Sequence, residues 1–228
     1  DETVNRLASM KTAAKDFKIF WDNAYGVHPV FEDVEVKNIL DACEEVGTKN
    51  RPYYFFSTSK ISFPGAGVSL VAASDENIAE IKKIMNAQTI GYDKINQLRH
   101  VQFFKDAQGL RRHMQVLADC MKPKFEIVLN TLEKELGGSG LISWENPKGG
   151  YFVSVDVMPG CAKEVVRLAK EAGVVLTGAG ATYPYKKDPK DANLRIAPTY
   201  PTVEELQQAM DLFCICVKKA GIEKMLQD

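Results

Sequence analysis

The chain has 228 residues, a formal net charge of -1, 45% hydrophobic and 26% charged residues. This composition is ordinary for a globular protein with one large core or two modest ones. Because there is no excess of positive charge to neutralise phosphates, neither nucleic acid nor an anionic membrane surface is expected as a partner. No apolar run approaches the roughly 18–20 residues that span a bilayer, so no membrane association is expected.

The cysteines indicate a reducing compartment. Five are present, and they show neither a Cys-x-x-Cys motif nor the spacing of metal ligands: Cys43, Cys120, Cys161, Cys214 and Cys216. An odd number of scattered thiols is typical of a cytoplasmic protein. We therefore expect a cytoplasmic location, free thiols and no metal site.

The first half of the chain has an α/β pattern. The predicted elements, in chain order, are a helix over 1–15, a short buried strand at 17–21, a helix over 36–45, strands at 53–56 and 68–73, and a helix over 75–87 capped by Ser74. Alternation of strand and helix predicts an α/β fold, in which ligands bind at the carboxyl ends of the strands.

The second half predicts a smaller α+β domain. A long amphipathic pattern over 106–136 is interrupted by Pro123, which is expected to kink the helix or split it in two. The helix joins a domain over 1–112 to a domain over 113–228. After it we predict strands at 141–144, 151–155, 174–176 and 194–196, helices over 162–172 and 203–220, and a loop over 178–191.

Lys60 is the first candidate functional residue. It follows Ser57-Thr58-Ser59 at the end of a predicted strand and precedes Pro64-Gly65. This setting suits a lysine held in a cavity, where partial desolvation favours a neutral amine that can attack a carbonyl to form a Schiff base. The two serines could donate hydrogen bonds to an anion beside it.

A second group, Asp22-Asn23-Ala24-Tyr25, follows the predicted strand at 17–21. A carboxylate after a buried strand is costly unless it meets a positive or protonated partner, and a protonated pyridine nitrogen would be such a partner. The phenol of Tyr25 could contact the same ring. The alternative is a simple Asp-Asn turn with Tyr25 against the core.

Arg195 is the third candidate. It lies between apolar neighbours on a predicted strand, in Asn193-Leu194-Arg195-Ile196. An arginine can hold a carboxylate through two parallel hydrogen bonds. A structural ion pair with an acidic residue is an equally good interpretation of the sequence.

Together these motifs resemble one family, the fold-type I pyridoxal-phosphate aminotransferases of the aspartate aminotransferase superfamily. The chain is similar to their C-terminal portion, comprising part of the large cofactor-binding domain and the small domain. Five elements carry the resemblance: Asp22-Asn23-Ala24-Tyr25, Ser57-Thr58-Ser59-Lys60, Phe63-Pro64-Gly65, Pro147-Lys148-Gly149-Gly150-Tyr151-Phe152 and Asn193-Leu194-Arg195-Ile196. The amino-acid sequences of these motifs are similar to those of the stand-alone aminotransferases related to MocR regulators.

The resemblance implies a role for each candidate. Lys60 would form the Schiff base with pyridoxal 5'-phosphate and move a proton, and Asp22 would pair with the ring nitrogen. Tyr25 would contact the ring oxygen, and Ser57 and Ser59 the phosphate. The remaining expected contacts are to the substrate, from Arg195 to the α-carboxylate and from Arg99 to a distal carboxylate.

The same resemblance implies the reaction and the partners. The expected activity is transamination between an amino acid, aspartate or another acidic one, and a 2-oxo acid. Related enzymes are homodimers in which residues near Arg99 and His100 serve the neighbouring subunit's site. An interface or solvated role for Arg99 is an equally good interpretation.

Two departures from the family pattern are visible. Many members carry an arginine eight residues after the lysine to bind the phosphate, whereas Val68 has this spacing here and Gly67 takes the arginine's place. The family's N-terminal half, which supplies a Gly-rich turn and a ring-stacking aromatic, has no counterpart before Asp1. We therefore expect a fragment that is inactive alone.

Two other functions use the same residues. The chain could be the effector-sensing domain of a MocR-type transcription regulator, which a DNA-binding helix-turn-helix upstream would indicate. It could also be a pyridoxal-phosphate-dependent lyase, because Asp22, Lys60 and Arg195 would serve elimination or decarboxylation equally well.

Overall fold

The computed structural model describes residues 1–227. The chain forms two compact units, one of Asp1–Val27 with Val34–Gln115, and one of His28–Asp33 with the chain from Val116 onward. Within residues 1–227, every helix is too short or too polar to cross a bilayer.

The first unit contains a small mixed sheet and its helices. Its elements are α1 (Glu2–Ser9), β1 (Ile19–Asp22), α2 (Ile39–Glu45), β2 (Pro52–Ser57), β3 (Ser69–Ala73), α3 (Asp75–Gln88) and α4 (Lys94–Phe104). β1 pairs with β2 in parallel, with Asp22 opposite Phe55. β3 pairs with the other edge of β2 in the antiparallel direction, with Ser57 opposite Ser69. The carboxyl ends of β1 and β2 therefore lie at one edge of the sheet.

The core of this unit is formed by α1, β1 and α2. Its buried residues are Val4, Ala8, Ile19, Ile39, Ala42 and Cys43. The expected helix over 1–15 is too long, since α1 ends at Ser9 and Met10 has an extended backbone with ψ 133°. Residues 11–15 bury no side chain, so no packing sustains further helical turns.

Helix α4 was not expected from the sequence. Its N-cap is Asp93, whose carboxylate accepts a hydrogen bond from the Asn96 backbone N–H at 2.9 Å. A capping aspartate followed by eleven residues without Gly or Pro is the sequence signal that predicts this helix.

The second unit is an antiparallel sheet with helices. Helix α5 (Ala107–Leu136) begins in the first unit, and the unit boundary falls within it between Gln115 and Val116. The other elements are β4 (Ile142–Trp144), β5 (Val153–Val157), α6 (Ala162–Glu171), β6 (Asn193–Ile196) and α7 (Val203–Met225), with a short 3-10 turn at Pro184–Lys186. The strand order is β4-β5-β6, and the apolar faces of α5, α6 and α7 complete the core.

Pro123 does not split the long helix, since α5 is continuous from Ala107 to Leu136. Proline removes one backbone hydrogen bond. Met121, Phe125 and Val128 nevertheless pack into the core on either side of it. Their burial outweighs the local preference for a break.

The strand expected at 174–176 is absent from the described structure, because this segment closes helix α6 instead. Gly173 has a left-handed φ of 95°, and the Val174 backbone N–H donates to the Ala169 carbonyl at 2.8 Å. This is the hydrogen-bond pattern of a glycine C-cap.

Candidate active site

A cavity of about 620 Å³ lies beside the carboxyl ends of β1 and β2, entirely within the first unit. Asp22 and Ser57, the last residues of these strands, both line it. The rest of the wall comes mainly from β2, β3, α3 and α4, including Phe55, Met85 and Asn96. Parallel pairing thus brings together two residues that are 35 positions apart in the chain.

One residue of the cavity wall has a buried oxygen that finds no partner among residues 1–227. Asn96 is 8% exposed and its amide N–H donates to the Gly67 carbonyl at 3.0 Å, while its buried Oδ1 has no hydrogen bond to any of residues 1–227. A buried oxygen without a partner is costly to the folded state. The cavity volume falls within the range of cofactor and small-molecule sites.

Lys60 lies in the turn that directly follows β2. The Thr58 carbonyl closes this turn by accepting the backbone N–H groups of Ile61 and Ser62 at 2.9 and 3.0 Å. The expectation that Lys60 is held in a cavity is wrong for the described residues, because it is exposed and is not part of the cavity wall. The physical reason is its position at the tip of a surface turn.

The two serines that precede Lys60 contact each other. Ser57 Oγ donates to Ser59 Oγ at 3.0 Å, and Ser57 is half-buried whereas Ser59 is exposed. Gly67, which the resemblance predicts at the place of the family's arginine, lies against the same segment. A Cβ at position 67 would be 3.3 Å from Thr58 Oγ1 and 3.5 Å from the Ser59 nitrogen. Glycine therefore leaves space beside the hydroxyl and amide groups.

Asp22 is exposed and is itself the last residue of β1. The expectation of a costly carboxylate after a buried strand is therefore wrong, because only Ile19 of β1 is fully buried. Tyr25 lies in the turn that follows and is half-buried. The Asn23 backbone N–H donates to the Phe55 carbonyl at 2.9 Å, which ties the start of this turn to β2.

Two residues of α4 contact the Lys60 segment, and sequence reasoning did not assign them there. Asn96 binds Gly67, and His100 lies within hydrogen-bond distance of Thr58 Oγ1 and Ser62 Oγ. The sequence does contain a signal, since Asn96 and His100 are four residues apart and share one face of a helix. This signal could be used only after α4 itself had been predicted.

Arg195 belongs to the second unit, where it occupies β6 between buried Leu194 and Ile196. Its guanidinium lies 4.2 Å from the centre of the Phe152 ring, and its buried Nε has no hydrogen bond within the described part of the chain. Among residues 1–227 it has no ion pair, so the structural ion pair weighed as an alternative is not found there.

Arg99 lies on an exposed position of α4 in the first unit. Its guanidinium is 5.7 Å from the centre of the Phe63 ring. A cation over an aromatic face at an exposed site is a weak contact, so Arg99 can leave it at little cost.

Comparison with known proteins places these motifs in one family. The family model described as "Aspartate amino-transferase" matches residues 1–228. The chain belongs to the aspartate aminotransferase family. It is 46% identical over 224 residues to an aspartate aminotransferase of Corynebacterium glutamicum, covering 98% of this chain and 52% of that protein. It is also 50% identical over its whole length to a Mycolicibacterium smegmatis protein with an aminotransferase name, covering 53% of that protein.

The fold agrees with this membership. The crystal structure of a Corynebacterium glutamicum aspartate transaminase matches with a TM-score of 0.94 at 46% identity, covering 98% of this chain and 53% of that one. The chain spans about half the length of the curated relatives it matches. The fold-type I assignment and the α/β fold expected from the sequence are confirmed.

Two more distant matches concern the cofactor and the alternative function. A Thermus thermophilus α-aminoadipate aminotransferase, solved with N-(5'-phosphopyridoxyl)-L-leucine, has the same fold, with a TM-score of 0.76 at 20% identity over 96% of this chain and 54% of that one. A Bacillus subtilis HTH-type transcriptional regulator is 22% identical over 166 residues, covering 73% of this chain and 33% of that protein.

Proposed function

We propose that the protein catalyses pyridoxal-phosphate-dependent transamination between an amino acid, aspartate or another acidic one, and a 2-oxo acid. The observation that carries the proposal is the meeting of Asp22 and Ser57 in one cavity, with Lys60 in the turn that follows β2. Membership in the aspartate aminotransferase family supports it.

The residues of the first unit suit the cofactor's polar groups. A carboxylate at Asp22 complements a protonated ring nitrogen, and the hydroxyls of Ser57 and Ser59 are donors for a phosphate. The Tyr25 hydroxyl would donate to the ring oxygen. When bound, pyridoxal phosphate supplies a ring that accepts the electrons released at the substrate Cα.

Lys60 has two proposed tasks. Its amine would hold the cofactor covalently, and its Nζ would then take the proton from the substrate Cα as a general base. Both tasks require the amine to be neutral and correctly placed. The hydrogen-bonded turn at Thr58–Ser62 provides the placement.

Arg195 would hold the substrate's α-carboxylate through two parallel hydrogen bonds. The role is supported by the position of Arg195 on β6, where its guanidinium makes no ion pair with any of residues 1–227. For Arg99 we propose a contact to the distal carboxylate of an acidic substrate in the site of a neighbouring subunit of a homodimer. Its weak contact with Phe63 leaves the guanidinium available.

The experiment that tests the reaction is a transamination assay of the full-length protein with pyridoxal phosphate and a 2-oxo acid. Aspartate and asparagine form a matched pair of substrates, since they share a shape and differ in charge. We expect aspartate to react faster, by about tenfold or more, which is the ratio that one lost charge-assisted hydrogen bond gives. Equal rates would contradict the acidic specificity, and no turnover with any amino acid would contradict transamination.

The regulator alternative rests on the distant match to the Bacillus subtilis protein. A sensor would bind pyridoxal phosphate and an amino acid without turning the amino acid over. The same assay therefore distinguishes the two functions, because only the enzyme releases a new 2-oxo acid.

A further inference from the structure

Helix α4 contacts the segment that holds Lys60 through the side chains of Asn96 and His100. We propose that His100 is a positioning residue that fixes the Thr58–Ser62 turn and thereby the place of Lys60. The inference rests on the proposed function of Lys60, but the contacts that support it are independent of any cofactor.

The direction of the His100 hydrogen bonds follows from its partners. Nδ1 lies 2.8 Å from the Asn96 backbone carbonyl, which can only accept, so Nδ1 carries a proton. In the neutral ring Nε2 is then an acceptor, and it faces two hydroxyl groups. Ser62 Oγ is 2.6 Å away and Thr58 Oγ1 is 3.1 Å away.

This nitrogen has one lone pair, so Ser62 at 2.6 Å is its main donor and Thr58 at 3.1 Å is the weaker member of a bifurcated contact. Thr58 Oγ1 accepts the Val68 backbone N–H at 2.9 Å, which leaves its own O–H directed elsewhere. The competing acceptor for Ser62 is the Thr58 carbonyl at 3.4 Å, a longer contact than the one to His100. One imidazole nitrogen therefore binds side chains on both sides of Lys60.

The histidine itself is firmly held. It is 7% exposed, and its ring packs edge-to-face against Phe63 at 5.4 Å between ring centres. The Phe104 ring lies 6.0 Å away on α4. Because the ring is fixed by packing and by the helix carbonyl, its contact restricts the turn rather than following it.

A second histidine holds the far side of the same turn. The Nε2 of His113, at the start of α5, donates to the Ile61 carbonyl at 2.7 Å. His113 also packs against Phe103 and Phe104, at 5.2 and 5.6 Å between ring centres. The turn that bears Lys60 is thus fixed through hydroxyl groups by His100 and through the backbone by His113.

Two substitutions each keep one of the two His100 hydrogen-bonding positions, so the turn contact is present in one variant and absent in the other. In His100→Gln the side-chain amide reaches the former Nε2 position and keeps an acceptor for Ser62 and Thr58. In His100→Asn the amide reaches only the former Nδ1 position, so it keeps the contact with the Asn96 carbonyl and loses the hydrogen bond to the turn. Both variants lose the ring's packing against Phe63 and Phe104, so they serve as controls for each other.

The test uses the full-length protein and two measurements. The first is hydrogen–deuterium exchange of the Ile61 and Ser62 amides without cofactor. The second is the rate at which pyridoxal phosphate becomes attached to Lys60, trapped by borohydride and measured by mass spectrometry. We expect His100→Asn to raise the exchange and lower the attachment rate by about tenfold relative to His100→Gln, the effect of one hydrogen bond.

Two outcomes would overturn the inference. One is equal exchange in the two variants, and the other is equal attachment rates despite different exchange. If the wild-type protein attaches no cofactor at Lys60, the proposed function fails, and the exchange measurement alone then decides whether His100 fixes the turn.

Discussion

Asp22 and Ser57 acquire their shared position from strand pairing. Neither residue alone points to a cofactor, since an exposed aspartate and a half-buried serine are common. The parallel register of β1 and β2 brings both to one sheet edge and one cavity. Their proposed chemistry, a carboxylate for a ring nitrogen and a hydroxyl for a phosphate, depends on that proximity.

The charge of Asp22 is directly testable. Asp22→Asn keeps the shape of the side chain and removes the negative charge that would keep a ring nitrogen protonated. We expect the transamination rate of the full-length protein to fall by about a hundredfold, since electrostatic stabilisation of this kind is a major part of catalysis. Asp41→Asn, on an exposed position of α2, is the matched control. An unchanged rate in Asp22→Asn would refute the role.

A second prediction concerns the two parallel hydrogen bonds that the Arg195 guanidinium would make to a carboxylate. Arg195→Lys keeps the positive charge but loses the second parallel hydrogen bond and the stacking on Phe152. Steady-state kinetics should show a rise in KM for the amino acid of about tenfold, with a smaller change in kcat. Arg167→Lys, in an exposed ion pair on α6, controls for the substitution itself. A KM unchanged from the wild type would exclude Arg195 as the carboxylate contact.

The sequence was sufficient to identify the candidate site residues, but not to predict which side chains surround them. Ser57-Thr58-Ser59-Lys60 followed by Pro64-Gly65 suffices to single out Lys60. The contacts of its turn with His100 join residues 38 and 42 positions apart, so they depend on where α4 packs. Local pattern carries no information about such a distance.

Elements with strong caps and clear periodicity were predicted well. Ser74 was expected to cap α3, and its hydroxyl does accept the Asn77 backbone N–H at 3.3 Å. The errors at 11–15 and 174–176 have different causes. Residues 11–15 bury no side chain, whereas Val174 and Leu176 pack against the core of the second unit but belong to the segment that closes α6. The end of α1 reflects the lack of packing beyond Ser9, and the end of α6 reflects its glycine cap.

At the element scale, the start of β6 depends on one carboxylate. Asp188 Oδ2 accepts the backbone N–H groups of Ala192 and Asn193, both at 2.8 Å, just before the strand that carries Arg195. The Asn193 N–H, followed by that of Ala192, lowers the pKa of Asp188 below its ordinary value. These bonds favour the charged carboxylate and are weakened when it is protonated.

The pH dependence follows from the sign of this shift. Because the pKa is lower in the folded state, the stability from Asp188 is fully present above its unfolded-state pKa and is lost as the pH falls through the folded-state value. Asp188→Asn should therefore reduce the free energy of unfolding near neutral pH and lose this effect in acid. Urea unfolding at several pH values measures it. A difference between wild type and variant that stays constant down to acid pH would show that the carboxylate's charge is not responsible.

At the scale of the whole molecule, the chain spans about half the length of its curated relatives, and its two compact units each have a core. The resemblance to a homodimeric family and the exposed position of Arg99 lead us to propose a homodimer for the full-length protein. Sedimentation equilibrium should give a mass of two chains across the micromolar range. A mass of one chain at all concentrations would contradict both the dimer and the proposed shared role of Arg99.

The most direct test of the proposed function is to identify the residue that carries the cofactor. The full-length protein is incubated with pyridoxal phosphate, reduced with borohydride, digested and analysed by mass spectrometry, with Lys60→Ala treated in parallel. We expect the reduced cofactor on the peptide containing Lys60 in the wild type, and no labelled peptide in Lys60→Ala. Labelling of a different lysine in the wild type, or undiminished labelling of Lys60→Ala, would contradict the assignment of Lys60.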